Sequence, residues 1–441
     1  MSMVLKNNMG AVRTLNLLKS NDTNAQKHMQ KVSTGMKLNS AQDNASAFSI
    51  SERMRVRIRA LDQAWQNTQN GSAMMRTAEG AVSNILETLR TLKEKAINSA
   101  NDSNTDEDRR TIQKEFNQLV DQIDDDALVT FNGMYLINNT RNNAFEATNS
   151  IMSNHLLDKN TDFSTTAFSA MKTRFGESLG IQDTDTIAWS YVENGKTYHG
   201  EITGDKTFDD LQNDIGAASL NPTLFKTYGN DKAVIGDASH DYRDKFDQKM
   251  YTSQGVMFIS GTTEPENYID GLTLQVRSAE GVVNKFATAQ LQFTEENRGE
   301  IQTGDRALSF HVGAQANQAT KVALTDMRAE ALGLKGNTGD IVSVSTRDDA
   351  NAAINAIDNA ITKVLDEQTN IAGALSRFEF TATNITTMTT NDQSSESVIR
   401  DADMATEMAG FIRYNVLSQT AQAMLAHANQ EPNNVLALLN S

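Results

Sequence analysis

The sequence predicts a mainly α fold: a long antiparallel helical bundle with a coiled-coil core, built from both chain ends, with an α+β surface module inserted between them. Three observations predict it. The 441 residues include prolines only at 222, 265 and 432, so both ends are free to form long helices. Ile354, Ile357, Ile361, Val364, Gln368, Ile371, Leu375, Phe378, Ala382 and Ile385 follow an alternating three-four spacing without a miss, which is the seam of a coiled coil. The middle has period-two alternation instead, around a turn dipeptide in "TIAWSYVENGKTYHGEI".

In chain order, Leu5, Val12 and Leu15, then Ala25, Met29, Val32 and Met36, read as one amphipathic helix. A polar stretch containing Gly35, Asn39, Ser40, Asp43 and Asn44 interrupts it. Ile50, Met54, Ile58, Leu61 and Trp65 then form a stripe, continued with heptad spacing by Ala78, Val82, Ile85, Leu89, Leu92 and Ala96. After the polar turn "NSANDSNTDED" come Ile112, Phe116, Leu119 and Ile123. Each stripe covers one face, so none is a free-standing rod, and an antiparallel bundle with the 354–385 helix is the economical arrangement. Gln368 is the polar member of the seam, a tolerated polar position or a register device. Met404, Met408, Phe411, Ile412, Val416, Leu417, Met424 and Leu425 make a last amphipathic helix before Pro432 and the closing "VLALL".

Ordering a residue costs about 1–2 kcal/mol of backbone entropy, and a buried large apolar side chain returns about 1.5–3 kcal/mol. One such residue in three or four barely balances a single helix pair. The two extreme ends are therefore expected to order only when neighbours cover their remaining faces.

In the middle, Asn194-Gly195 is a hairpin signal, Thr207 in "TFDDLQNDIGAAS" is a helix N-cap, and "GLTLQVRS" and "KFATAQLQF" read as further strands. Residues 141–304 thus form the inserted module. A net charge of −16 argues against nucleic acid as a partner. The absence of cysteine excludes disulfides and thiolate chemistry. The first residues have no apolar run of signal-peptide length, and no stretch is apolar enough for membrane insertion. The six histidines are scattered, and neither HExxH, a P-loop nor GxSxG is present. Asp124, Asp125 and Asp126 read as a solvated helix end, and Asp401 and Asp403 as charges at a helix start. Met74, Met75, Met404 and Met408 read as filling for a helical interface. No catalytic, cofactor or metal site is expected, and the chain is not read as an enzyme.

The blocks "KVSTGMKLNSAQDNASAFSISERMR", "TAEGAVSNILETLRTLKEKAINSAN", "FNGMYL", "DMRAEALGL" and "IRDADMATEMAGFIRYNVLSQTAQAMLAHANQEPNNVLALL" resemble bacterial flagellins over about the first 140 and last 135 residues. The resemblance implies that 1–40 and 396–441 form the inner filament core. It implies a bundle shell from 41–140 and 305–395, and a variable surface insert at 141–304. Leu308–Gln318 would return the chain to the bundle as an extended segment. Residues 33–49 become the connector between innermost helix and bundle, where Gly35, Asn39, Ser40 and Asp43 permit the change of direction and Asn39 or Ser40 caps the next helix.

The same resemblance implies a structural, non-enzymatic subunit that is exported unfolded through the growing flagellum without a cleaved signal. It would self-assemble into the helical filament outside the cell and transmit motor rotation as thrust. The partners implied are further copies of the chain, the hook-junction and cap proteins, and an export chaperone on the C-terminal helix. Self-assembly is expected to run through both terminal stripes, with the bundle held by the seam positions. Alternatives are a hook-filament junction protein, or a filament subunit whose insert is adhesive. At the stretch read by the innate flagellin receptor, Leu89–Lys95, Thr91 stands where recognised members carry Arg and Lys95 where they carry Leu, while Glu94 and Glu115 match. Receptor binding is therefore expected to be weak.

Overall fold

The computed structural model describes residues 8–142, 151–154, 156–158, 161, 165–218, 256–259, 269–297, 304–336 and 338–439. Leu5, Pro222, Pro265 and the tyrosines of 228–268 lie outside them. The chain divides into two compact units: Met1–Gln69 with His311–Ala319 and Phe380–Ser441, and Asn70–Phe310 with Thr320–Glu379.

The helices are α1 (Met9–Thr34), α2 (Ala45–Ser99), α3 (Asp106–Ala127), α4 (Phe208–Ala218), α5 (Lys285–Gln290), α6 (Arg347–Arg400) and α7 (Met404–Leu439). The strands are β1 (Thr130–Phe131), β2 (Met134–Tyr135), β3 (Ile151–Asn154), β4 (Thr186–Glu193), β5 (Lys196–Thr203), β6 (Val256–Ile259), β7 (Ile269–Arg277), β8 (Thr294–Asn297), β9 (Leu308–His311) and β10 (Ala319–Val322). No described helix is long and apolar enough to cross a membrane.

In the first unit α1 and α7 run antiparallel, because Asn8 meets Ala428 and Lys31 meets Glu407. The start of α2 runs antiparallel to the end of α6. Arg57 pairs with Asp392 at 2.9 Å, and Leu61, Ala64 and Ile385 make a small apolar cluster. Trp65, which the sequence stripe includes, stays exposed.

In the second unit α2 buries Met75, Val82, Ile85, Leu89 and Leu92, α3 buries Phe116, Val120 and Ile123, and α6 buries Ile357, Val364, Ile371 and Phe378. α3 starts with a capping box, in which the Thr105 and Asp108 side chains each accept the other's backbone N–H. The return segment 324–344 adds Leu324, Met327, Leu332, Leu334, Val342 and Val344 to the buried set. It is tied down by polar bonds: the Ala329 N–H donates to Asp124 (2.8 Å), Lys335 to Asp121 and Asp124, and the Ser99 hydroxyl to the Val344 carbonyl. Asp124 is therefore a bonded anchor, not a solvated helix end.

The insert has its own core, with Phe168, Trp189, Tyr191, Phe208, Leu211, Leu274 and Val276 among its members. It covers two antiparallel three-stranded sheets, ordered β5-β4-β7 and β6-β3-β8. The β4–β5 hairpin turns at Asn194 (φ 50°) and Gly195 (φ 76°), the two left-handed positions that a two-residue turn requires. Thr207 caps α4, accepting the Asp210 N–H at 3.2 Å. "KFATAQLQF" is not a strand. Asn284 accepts the Ala287 N–H and starts α5, and Ala287 and Leu291, four apart, turn inward together. The hairpin tip is locked into the 336–340 loop: a Cβ on Gly195 would stand 2.2 Å from the Asp340 carbonyl oxygen, and one on Gly336 1.8 Å from that of Asn194.

Candidate self-assembly surface

The pairing of α1 with α7 mixes small and polar residues with a few larger apolar ones. Among their described residues only Ala25, Ser418 and Ala421 are buried. The half-buried positions include Ala11, Thr14, Leu18, Asn21, Asn24, His28 and Val32 on one side and Glu407, Gly410, Phe411, Tyr414, Leu425 and Ala428 on the other. A row of polar pins sets their register. His28 Nδ1 lies 2.5 Å from Glu407 Oε2, with Lys31 Nζ 3.3 Å from Oε1. The His28 ring stacks on Tyr414 at 5.3 Å and lies over Gly410, where a Cβ would come within 2.8 Å of it. Burial alone would raise the Glu407 carboxyl, but the bond from His28 and the nearby Lys31 charge bring it below its ordinary value. Ser418 donates to Asp22 at 2.5 Å.

A further pin, between Asn8 and Ala428, explains how α7 continues through Pro432 to Leu439, where the sequence pattern stops the helix. Proline has no N–H, so the carbonyl four residues earlier, on Ala428, loses its helical donor. The Asn8 side chain supplies one, donating to that oxygen at 2.7 Å while its own Oδ1 accepts the Ala11 N–H and caps α1.

Most of the large apolar residues point the other way. Val12, Leu15, Met29, Met404, Met408, Ile412, Val416, Leu417 and Met424 are all exposed, from 39% at Leu417 to 56% at Ile412. Val32, Met36, Phe411 and Leu425 are half-buried, and Leu5 lies outside the described residues. Among the described residues Met404 and Met408 thus fill no interface. Met9 and Leu17 are exposed as well and join this face; Met9 lies on the stripe, four after Leu5 and three before Val12, whereas Leu17 falls off it. Helices with apolar residues turned outward on this scale are built to be covered.

At the connector, Gly35 ends α1 in the left-handed conformation (φ 70°). Asp43 then accepts the N–H groups of Asn39 and Ser40, each at 3.0 Å, and these bonds draw its carboxyl below the usual range. Neither Asn39 nor Ser40 caps α2. Asn44 does, accepting the Ala47 N–H at 3.1 Å, because the turn around Asp43 leaves Asn44 directly before Ala45 and Asn39 and Ser40 several residues upstream. Asp403 caps α7 through Thr406 and Ala405, which lower its carboxyl in the same way.

The bundle seam lies half a step from its sequence frame. Leu61, Val82, Ile85, Leu89, Leu92, Ile357, Val364, Ile371 and Phe378 are buried. Ile50, Met54, Ile58, Ile354, Ile361, Gln368 and Leu375 are half-buried. On α6 the alternate buried positions are Ala353, Ala360, Glu367 and Ala374, one residue earlier than the larger side chains. The buried polar member is Glu367, whose carboxylate accepts both the N–H (3.3 Å) and the hydroxyl (2.7 Å) of Thr325. No group of three or more acidic or histidine side chains able to hold a metal occurs among the described residues.

Long helices pinned by polar contacts, with large apolar residues left on their outer faces, define a structural subunit that associates with copies of itself. Comparison with known proteins makes this specific. The model of the bacterial flagellin N-terminal helical region matches residues 5–142, and that of the C-terminal helical region residues 354–439. A flagellin of Clostridium tyrobutyricum is 30% identical over 437 residues, covering 97% of this chain and 100% of the relative. The flagellin of Bacillus subtilis strain 168 is 25% identical over 99% of this chain and 100% of its own length. Among solved structures, flagellar hook associated protein-3 of Legionella pneumophila is 14% identical, with a TM-score of 0.33 over 78% of this chain and 97% of that one. The chain belongs to the bacterial flagellin family.

Proposed function

We propose that copies of this chain stack through the outward faces of α1 and α7, so that each subunit completes the burial its neighbour lacks. As a flagellin the chain is the repeating structural subunit of the flagellar filament, outside the cell, and its work is mechanical. The observation that carries the reading is the outer face of the terminal pair: Met408, Ile412, Val416 and Met424 stay about half exposed, while the buried residues among those described are only Ala25, Ser418 and Ala421. Head-to-tail contacts of this kind do not close and so generate an open helical tube. Residues 1–40 and 396–441 would form the tube's inner wall, 41–140 and 305–395 the surrounding shell, and 141–304 the outer surface. An export chaperone that covers the same apolar face of α7 before assembly fits this surface, as do junction and cap proteins that present matching faces at the two filament ends. Passage in an unfolded state fits ends that order only on assembly. Electron microscopy of purified protein after addition of filament seeds tests the reading. Long tubes are expected, whereas short caps of a few copies on the seeds would assign a junction role instead.

A further inference from the structure

Where the chain leaves the terminal pair, its two crossing segments are bound to each other. The Lys37 N–H donates to the Arg400 carbonyl at 2.7 Å and the Ala402 N–H to the Gly35 carbonyl at 3.0 Å, with Met36 opposite Asp401 in an antiparallel bridge. Arg400 is the last residue of α6, and its guanidinium is buried beside this crossing, with the residue only 8% exposed. Nη1 donates to Glu52 Oε1 at 2.7 Å and to Ser51 Oγ at 3.2 Å, with Glu396 at 3.9 Å. Nε faces Met36 Sδ at 3.4 Å, and the cation lies over the Phe48 ring at 5.6 Å. Ser51, fully buried, donates in turn to Glu396. The bond from Arg400 holds the Glu52 carboxyl below its ordinary value.

One side chain thus joins the connector, the first turns of α2 and the end of α6. A buried cation is costly, and an apolar residue would fill the same space at less cost. What a guanidinium adds is direction, because its donors leave in a fixed planar fork. Apolar packing adds little here, since among residues 35–44 only Leu38 is buried, and the two main-chain bonds tie the crossing strands to each other but not to α2, which the Arg400 fork reaches. The lever is long. α7 has 36 residues, and at 1.5 Å per residue a tilt of about 10° at the crossing moves its far end by about 9 Å.

We propose that Arg400 is a positioning residue: it sets the angle at which the α1–α7 pair leaves the start of α2 and the end of α6, and through that angle the helical pitch of the polymer. The inference rests on the filament reading above. Polymer pitch distinguishes this role from a merely stabilising one, which would move monomer melting and leave pitch alone.

The test uses the full chain with Arg400→Met, Arg400→Lys and Glu52→Gln. Monomer helicity and melting are followed by circular dichroism, and seeded filaments by electron microscopy. Arg400→Met is expected to give filaments whose pitch is shifted from that of the wild type. Arg400→Lys, which keeps the charge, restores pitch in part. Glu52→Gln shifts pitch in the same direction as Arg400→Met, and the double variant is no worse than Arg400→Met alone. Wild-type pitch in Arg400→Met filaments overturns the proposal. If that variant melts early, Glu52→Gln decides, and wild-type pitch there overturns it equally. A wild-type chain that does not elongate on seeds removes the filament reading and this inference with it.

Discussion

Replacing Met408, Ile412, Val416 and Met424 together by Gln separates assembly from folding. These side chains are 47%, 56%, 55% and 55% exposed. About half of each therefore remains to be buried by a neighbour. Full burial of a large aliphatic side chain is worth about 1.5–3 kcal/mol, so half is worth about 1 kcal/mol and four about 4 kcal/mol per subunit added. At about 1.4 kcal/mol per factor of ten, the critical concentration for polymer growth should rise about a thousandfold. Gln is a good helix former, so the substitutions cost the helix itself little. The assay is sedimentation of polymer grown on wild-type seeds at graded protein concentrations, with circular dichroism of the monomer as control. A quadruple variant that polymerises within threefold of the wild-type critical concentration refutes the burial argument.

Three other predictions follow from particular contacts. Glu52, Asp403 and Glu407 all have carboxyls lowered by partners in the first unit. Their contribution is present above the unfolded carboxylate range and is lost as pH falls through the folded values, so filaments should dissolve on acidification below about pH 4, followed by light scattering. Dissolution between neutral pH and pH 9 instead would contradict this assignment. In the second unit, Gly336→Ala should lower stability by about 2 kcal/mol through its clash with Asn194. Gly80→Ala and Gly373→Ala, in helices with open space around them, should each raise it by about 0.5–1 kcal/mol, all three read by urea unfolding. At the receptor stretch, Lys95 pairs with Glu115 at 2.7 Å and so occupies it. Purified monomer should activate a flagellin-receptor reporter cell weakly, and Thr91→Arg with Lys95→Leu should increase activation at least tenfold. Strong activation by the wild type would overturn that reading.

The large-residue pattern reveals the helices but not their exact inward faces. On α6 the eye follows Ile354, Ile361 and Leu375, yet the close approach is made by Ala353, Ala360 and Ala374, whose small side chains give a weak hydrophobic signal. The same bias picks Gln368 over Glu367, since a buried carboxylate is legible only once Thr325 is known to face it. "KFATAQLQF" alternates like a strand, and what decides for a helix is the Asn284 cap just before it. Four polar candidates for the α2 cap stand close together, and only the turn around Asp43 shows that Asn44 is the free one. The terminal stripes are readable because their apolar residues serve contacts that repeat along the helix. The pins between α1 and α7 are not. Asn8 with Ala428, His28 with Glu407 and Asp22 with Ser418 join residues 379 to 420 positions apart, and no local pattern links them.

The most direct test of the account is amide hydrogen exchange on dilute protomer and on filaments, resolved by segment. α1 and α7 should exchange within seconds in the protomer and slow by at least a thousandfold in the filament, while α2 and α3 are slow in both. Protection of α1 and α7 in the lone protomer equal to that of α2 would show that the terminal pair needs no neighbour to stay folded, and the account of assembly by completed burial would fail.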